Sequence, residues 1–341
     1  MSSPAITMKD IALAFNVSVT TVSRALKGSG RISKELREKI VDFAREHNYI
    51  PNELAGSLRL SRREPLRLIG VIIPQIAHYY FSTILSGIED EASRHGYCIM
   101  VAQSDESYER EVEICQSFLK NRVCGVIVSQ AKDTMRYEHF LHLQQAGVPL
   151  VFYDRICTGL NTNRVVVDDY HGAFVAVSHL IETGCKRIAF YGAPMQLEIS
   201  KNRFNGYRDA ILQHGMQLDQ SLVFVCDNRA DAEELTPEVI ARPDRPDAFF
   251  AVNDDTAIGI LYTVKHLGFN VPNDISICGF TDGERAVACE PMLTTVGQHG
   301  DKVGREAVDV LLAHVEKRIP DDKVERRVVK TRLMVRGTTK D

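Results

Sequence analysis

The feature that most constrains this 341-residue chain is a motif that occurs twice. The first copy has an apolar stretch LIGVIIP, a helical stretch containing Gly87, and a turn HG ending at Gly96. The second has RIAFYGAP, a helical stretch containing Gly206, and HG ending at Gly215, so the glycines lie nine residues apart both times. CIMVA and LVFVC follow the two turns, then CGVIVS and AFFAVND, then QQAGVPLVFYD and KHLGFNVPNDISICGFTD. Continuous apolar strands alternating with amphipathic helices describe parallel sheets covered on both faces. Two copies imply two similar α/β lobes with a cleft between them.

In such sheets ligands bind beyond the carboxyl ends of the strands. Here the first strand runs out at Pro74 into QIAHYYF, and others end at Gln103-Ser104, Ser129-Gln130, Tyr153-Asp154-Arg155, Asn253-Asp254-Asp255 and Phe280-Thr281-Asp282. Aromatic faces with carboxylates, amides and arginines suit a polyhydroxylated ligand, because rings stack while bidentate groups fix hydroxyls. Taken singly, each Asp reads more plainly as an N-cap of the next helix, and Asp169 before HGAFVAVSHLI is read as such a cap. Their convergence on one edge favours the ligand reading.

Ahead of this body sits a small basic head. Through Pro65 the chain has 11 Lys+Arg against 7 Asp+Glu, whereas the remainder has 30 against 38. That asymmetry suits a polyanion-binding module on an acidic body. Three short helices are legible in the head. Thr7 caps the first, with Asp10 near its positive end and Ile11, Ala14 and Phe15 as its apolar face. After a turn at Asn16-Val17, Ser18 caps the second, in which Val22 and Leu26 point inward. Ser33 caps the third, with its stripe Leu36, Ile40, Phe43 and Ala44.

The second helix, VTTVSRAL, is β-branched and short, so packing rather than propensity must hold it. Val19, Thr20, Ser23 and Arg24 then read as outward, free to meet phosphates and base edges. A short stretch after Pro51, with Leu54, Ala55 and Leu58 on one side and Gly56 inside it, reads as a conditional helix or a plain linker.

TMKDIALAFNVSVTTVSRALKG, RISKELREKI and NYIPNELAGSLR together resemble the DNA-binding head and hinge of the lactose-repressor (LacI/GalR) family of bacterial transcription regulators. The resemblance implies base-reading roles for Val19, Thr20 and Arg24 and phosphate contacts for Ser18, Thr21 and Ser23. It implies minor-groove positions for Asn52 and Ala55, and a kinking wedge at Leu58. It extends over the body, whose implied core is similar to periplasmic binding proteins. KNRFNGYRDAI places an effector-holding role on Arg203 and AVNDDTAIG on Asn253; Tyr80, Phe81 and Asp154 match first-lobe cleft positions. Phe280 and Asp282 come from GFTDG, where the family often has an acidic residue at the position of Thr281.

The expected fold is therefore an all-α helix-turn-helix head plus a periplasmic-binding-protein-like α/β core of two parallel-sheet lobes. The expected division is 1–50 for the DNA-binding domain, 51–66 for hinge helix and linker, and 67–341 for an effector-binding and dimerisation core. Within the core, lobe 1 is expected at about 67–165 and 296–322, and lobe 2 at about 166–295 and 323–341. The resemblance implies a homodimer on a pseudo-palindromic DNA operator, a small-molecule effector, and neither cofactor nor metal.

Rival classes fit less well. A transport binding protein would share the core but carry a signal peptide rather than a basic head, and MSSPAITMKDIALAF has acidic Asp10 where such a peptide is apolar. With no apolar run near 20 residues, a cytoplasmic protein is expected. For an enzyme, the sequence has no GxGxxG after a strand, no GxxxxGK[ST], no HExxH and no GxSxG, and its 11 His show no metal-ligand spacing. The eight Cys include no CxxC and read as buried free thiols. A cytosolic ligand-binding protein without operator specificity is the remaining alternative. Leu58→Ala distinguishes it: specific operator binding and bending should be largely lost with the core still folded, whereas undiminished bending in a gel-shift assay counts against the wedge.

Overall fold

The computed structural model describes residues 6–26, 28–29, 32–47, 49, 67–320 and 322–341. The chain divides into two compact units, residues 1–66 and 67–341. The stretch expected to form the hinge, with Asn52, Ala55 and Leu58, lies outside the described residues.

Among its described residues the first unit has three helices: α1 (Met8–Ala14), α2 (Val19–Leu26) and α3 (Lys34–Glu46). Thr7 and Asp10 form a reciprocal capping box at the start of α1, and Ser33 Oγ accepts from Leu36 N at the start of α3. The core is Ile11, Ala12, Val22, Ala25, Ile40 and Ala44, with Phe15 edge-on to Phe43 at 5.3 Å. Two expectations change. Ala14 is exposed and Ala12 is buried in its place, because the inward stripe is Met8, Ile11, Ala12 and Phe15 at i, i+3, i+4 and i+7. Val19 is half-buried against this core rather than turned outward, since it lies one turn before Val22.

The second unit begins with β1 (Leu68–Ile73), α4 (Tyr79–Arg94), β2 (Cys98–Gln103), α5 (Tyr108–Lys120), β3 (Gly125–Val128), α6 (Glu138–Gln145), β4 (Leu150–Tyr153) and β5 (Asn163–Val167). The chain crosses to a second sheet through α7 (Asp169–Glu182), β6 (Ile188–Gly192), α8 (Glu198–Gln213), β7 (Val223–Val225), α9 (Arg229–Ile240), β8 (Ala248–Ala251), α10 (Asp254–His266), β9 (Ser276–Thr281), α11 (Glu284–Ala288) and β10 (Thr294–Gly297). It then returns in α12 (Gly300–Val315) and β11 (Arg326–Val329), and ends in β12 (Arg332–Met334).

The first sheet has the order β11-β5-β4-β3-β1-β2 and the second β12-β10-β9-β8-β6-β7. All pairings are parallel except β10 with β12. Each sheet carries an apolar cluster on either face, which is why its central strands read as unbroken apolar runs. The segment VVKTRLMVRG is divided between two strands. Arg326–Val329 pairs with β5 in the first sheet, while Arg332–Met334 pairs with β10 in the second. The last crossing therefore falls at Lys330-Thr331 and not at 322, because pairing with β5 keeps the chain in the first lobe for one more strand.

The repeated glycines mark matching helix contacts. α4 packs on α12 and α8 on α7, and a Cβ at Gly87 would overlap the carbonyl of Asp301, one at Gly206 the carbonyl of Tyr170. Only a missing side chain lets each helix pair approach so closely. Gly206→Ala should cost about 1–3 kcal/mol in urea unfolding, with the transition still cooperative. An unchanged midpoint contradicts this contact.

Candidate functional site

Between the lobes lies a cavity of about 270 Å³, partly open to solvent. Its walls come from the residues after β1, β2, β3 and β4 in one lobe and after β6, β7, β8 and β9 in the other, as expected for carboxyl strand ends. Tyr80, Phe81, Asp154, Arg203 and Asn253, all expected at the site, line it together.

Arg203 is the best-anchored of them. Its Nε and Nη2 meet Asp169 Oδ1 at 2.8 and 2.7 Å, Nη1 donates to the carbonyl of Val252, and the guanidinium lies 4.0 Å from the Phe280 ring centre. Asp169 is therefore a buried ion-pair partner and not the expected cap. The cap of α7 is Asp168, whose carboxylate accepts from His171 N at 3.1 Å. Burial pushes the Asp169 carboxyl up to about 6, against the opposing pull of Arg203.

Across the cavity, Asp154 sits at φ 54° at the end of β4. Burial raises its pKa while Arg155 and Arg203 pull it down, and Arg155 Nε stays 3.9 Å away, too far to hydrogen-bond. Arg155 Nη1 instead reaches Glu106 at 2.6 Å, with its guanidinium 5.5 Å from the Phe81 ring. Asn253 caps α10 through Thr256 N at 2.8 Å and donates to the carbonyl of Asp227 at 2.6 Å, so its amide is already engaged on both sides.

Two expected residues are not in the lining. Phe280 is fully buried beneath Arg203, and Asp282 is turned to Arg336 at 2.6 Å. Thr281 between them faces the cavity, and its hydroxyl donates to Gln298 Oε1 at 3.1 Å. Alternation along a strand end explains this: if Thr281 faces the cleft, its neighbours turn away.

Sequence reasoning did not single out Ser200, Gln298, Lys132 or Asp227, which also line the cavity. Ser200 had a signal, since it precedes Arg203 by three residues and shares its helix face. Five buried polar atoms on lining residues have no hydrogen-bond partner among the described residues: Tyr80 Oη, His78 Nδ1, Arg155 Nε, Ser200 Oγ and Gln298 Nε2. Each lining cation, by contrast, is paired: Lys132 with Asp227, Arg155 with Glu106, Arg203 with Asp169, Arg229 with Glu233 and Arg285 with Asp255.

In the first unit, Ser18, Thr20 and Arg24 are exposed and Thr21 and Ser23 half-buried. Ser18 Oγ accepts from Thr21 N at 3.1 Å and lies 2.9 Å from the Thr21 hydroxyl, which makes Ser18 a working cap. Thr20 and Arg24, four residues apart, stand on one face.

Elsewhere, Glu91, His95 and Asp309 bring ligand-type atoms within 4.8 Å of one another, which His spacing alone did not reveal. Guanidinium groups compete there: Arg94 is 2.9 Å from Glu91 and Arg327 3.9 Å from Asp309. Five of the eight free thiols are buried, as expected, but Cys98 is exposed and Cys124 and Cys289 are intermediate. No helix among the described residues is long and apolar enough to cross a membrane.

A helix-turn-helix unit followed by a two-lobed parallel α/β body with a polar cleft is the build of an effector-responsive DNA-binding regulator. The family described as "Bacterial regulatory proteins, lacI family" matches residues 7–52, and "Periplasmic binding protein-like domain" matches residues 177–339. The chain is 33% identical over 311 residues to the ribose operon repressor of Bacillus subtilis, covering 91% of this chain and 92% of the relative. It is 30% identical over 337 residues to the transcriptional repressor CytR of Escherichia coli, covering 98% and 97%. A solved lac repressor dimer, bound to operator and the anti-inducer ONPF, superposes with a TM-score of 0.86 at 25% identity, covering 98% of this chain and 99% of that one. The chain belongs to the LacI family: it is a helix-turn-helix DNA-binding transcriptional repressor with a periplasmic-binding-protein-like effector domain, and its relatives are repressors, not enzymes.

Proposed function

We propose that this repressor acts in the cytoplasm as a homodimer on a pseudo-palindromic operator and is switched by a small, neutral, polyhydroxylated molecule of the sugar or nucleoside class. In this reading residues 1–50 bind DNA, 51–66 form the hinge and 67–341 bind effector and dimerise. Thr20 and Arg24 read bases, while Ser18, Thr21 and Ser23 meet phosphates. Val19, half-buried against the helical core, takes the remaining base-reading position.

The observation that carries the ligand class is the group of five unpartnered buried polar atoms around one cavity. Buried polar groups are nearly always satisfied, so such a cluster marks where a ligand's hydroxyls would bond. The complete pairing of the lining cations favours a neutral ligand over a phosphorylated one. The lac repressor dimer bound to operator and a small molecule supports the dimeric, effector-linked arrangement.

A thermal-shift panel of neutral pentoses, hexoses and ribonucleosides, with their phosphates, tests this. A ligand at 100 times its Kd should stabilise the protein by about 2.7 kcal/mol. Arg203→Ala would strand the Asp169 carboxylate, so Tyr80→Phe and Ser200→Ala are the sharper variants. Their stability without ligand should stay within about 0.5 kcal/mol of the parent. Their affinity should fall by a factor that corresponds to about 0.5–1.5 kcal/mol per lost hydrogen bond. Stabilisation by phosphates alone, or unchanged affinity in both variants, contradicts the proposal.

A further inference from the structure

We infer that the Lys132–Asp227 ion pair is the closure latch of the cleft, and that these two side chains set how firmly an effector is held; this rests on the reading of the cleft as the effector site. Lys132 follows β3 in one lobe and Asp227 follows β7 in the other, with Nζ 2.6 Å from Oδ2. Both line the cavity, with side chains 33% and 15% exposed. Among the ion pairs of the described residues it is the one that joins the two lobes.

Its place in the fold gives it leverage. The chain passes between the lobes beside β5, β10, β11 and β12, at one end of each sheet order. β7 is the opposite edge of the second sheet, and β3 lies two strands from β5, the nearer connecting strand of the first. A contact far from the connections resists opening more effectively than one beside them.

Both partners are held in position rather than left on free loops. Glu106 accepts from Lys132 N at 2.9 Å and from Arg155 at 2.6 Å. The buried Glu111 fixes the same segment, accepting from Ala131 N at 2.9 Å and Thr134 Oγ1 at 2.7 Å, with His139 Nε2 at 2.9 Å. On the other side Asn253 holds the carbonyl of Asp227 at 2.6 Å. With both backbones fixed, less loop freedom is lost on pairing than between two mobile surface segments, so this pair retains more of its Coulomb attraction. Arg155 and Asn253 also face the cavity, so whatever occupies it touches the supports of the latch.

Hydrogen exchange read by mass spectrometry on the ligand-free full chain tests the latch without needing an identified effector. Lys132→Gln and Asp227→Asn should each raise exchange in peptides covering 129–135 and 226–230 by roughly threefold to tenfold, with β1 and β6 unchanged. The charge-swapped double variant Lys132→Asp with Asp227→Lys should bring exchange back towards the parent. Unchanged exchange in both single variants overturns the latch. Loosening in each single variant without recovery in the swap overturns it too, because the two side chains would then act independently. If the exchange pattern appears but no sugar or nucleoside binds, the latch stands and the ligand class falls.

Discussion

One buried guanidinium organises the cleft. Arg203 on α8 is joined to Asp169 at the start of α7, to the carbonyl of Val252 just past β8, and to the face of Phe280 on β9. Taking both charges out of water is costly, and removing either partner of such a pair typically costs about 3–5 kcal/mol because the other is left buried and unpaired. The pair is also sterically dependent on Gly206, one turn further along α8, where the helix comes against the backbone of Tyr170 on α7. Close helix approach and the ion pair are thus two parts of one arrangement, and protein contacts alone hold the second-lobe floor of the cavity.

The facing wall is built differently. Asp154 projects from a left-handed backbone at the end of β4, its carboxylate lacking a close cation, while Arg155 is drawn aside to Glu106. A ligand bridging the fixed floor and this less committed wall gains most when the lobes are closed. In the proposed switch that differential affinity alters the angle between lobes and, through residues 51–66, the fitness of the paired heads for operator. The sign, release or recruitment, depends on which lobe angle suits DNA.

Much of this was legible in the sequence, and the failures have a common cause. The strands and the two-lobe repeat are readable because doubly covered parallel strands must be apolar throughout, and Thr7, Ser18 and Ser33 because caps act within three residues. Asp169 reads as a cap because its partner lies 34 residues away, and the true cap is its neighbour Asp168. The motif points to Phe280 and Asp282 at the cleft, yet strand alternation turns Thr281 to it instead. Lys132 and Asp227 are separated by 95 residues and share no local pattern. The split of VVKTRLMVRG between two sheets is equally invisible, because apolar alternation does not say which sheet a strand joins.

The most direct test is operator affinity, measured by fluorescence anisotropy at fixed salt, for the full chain with and without the neutral sugars and nucleosides of the thermal-shift panel. The account predicts that at least one compound that stabilises the protein also changes operator Kd by roughly fivefold or more, the lower end of ordinary allosteric coupling. Stabilising compounds that leave operator Kd untouched, or operator binding that responds to none of the panel, would contradict it.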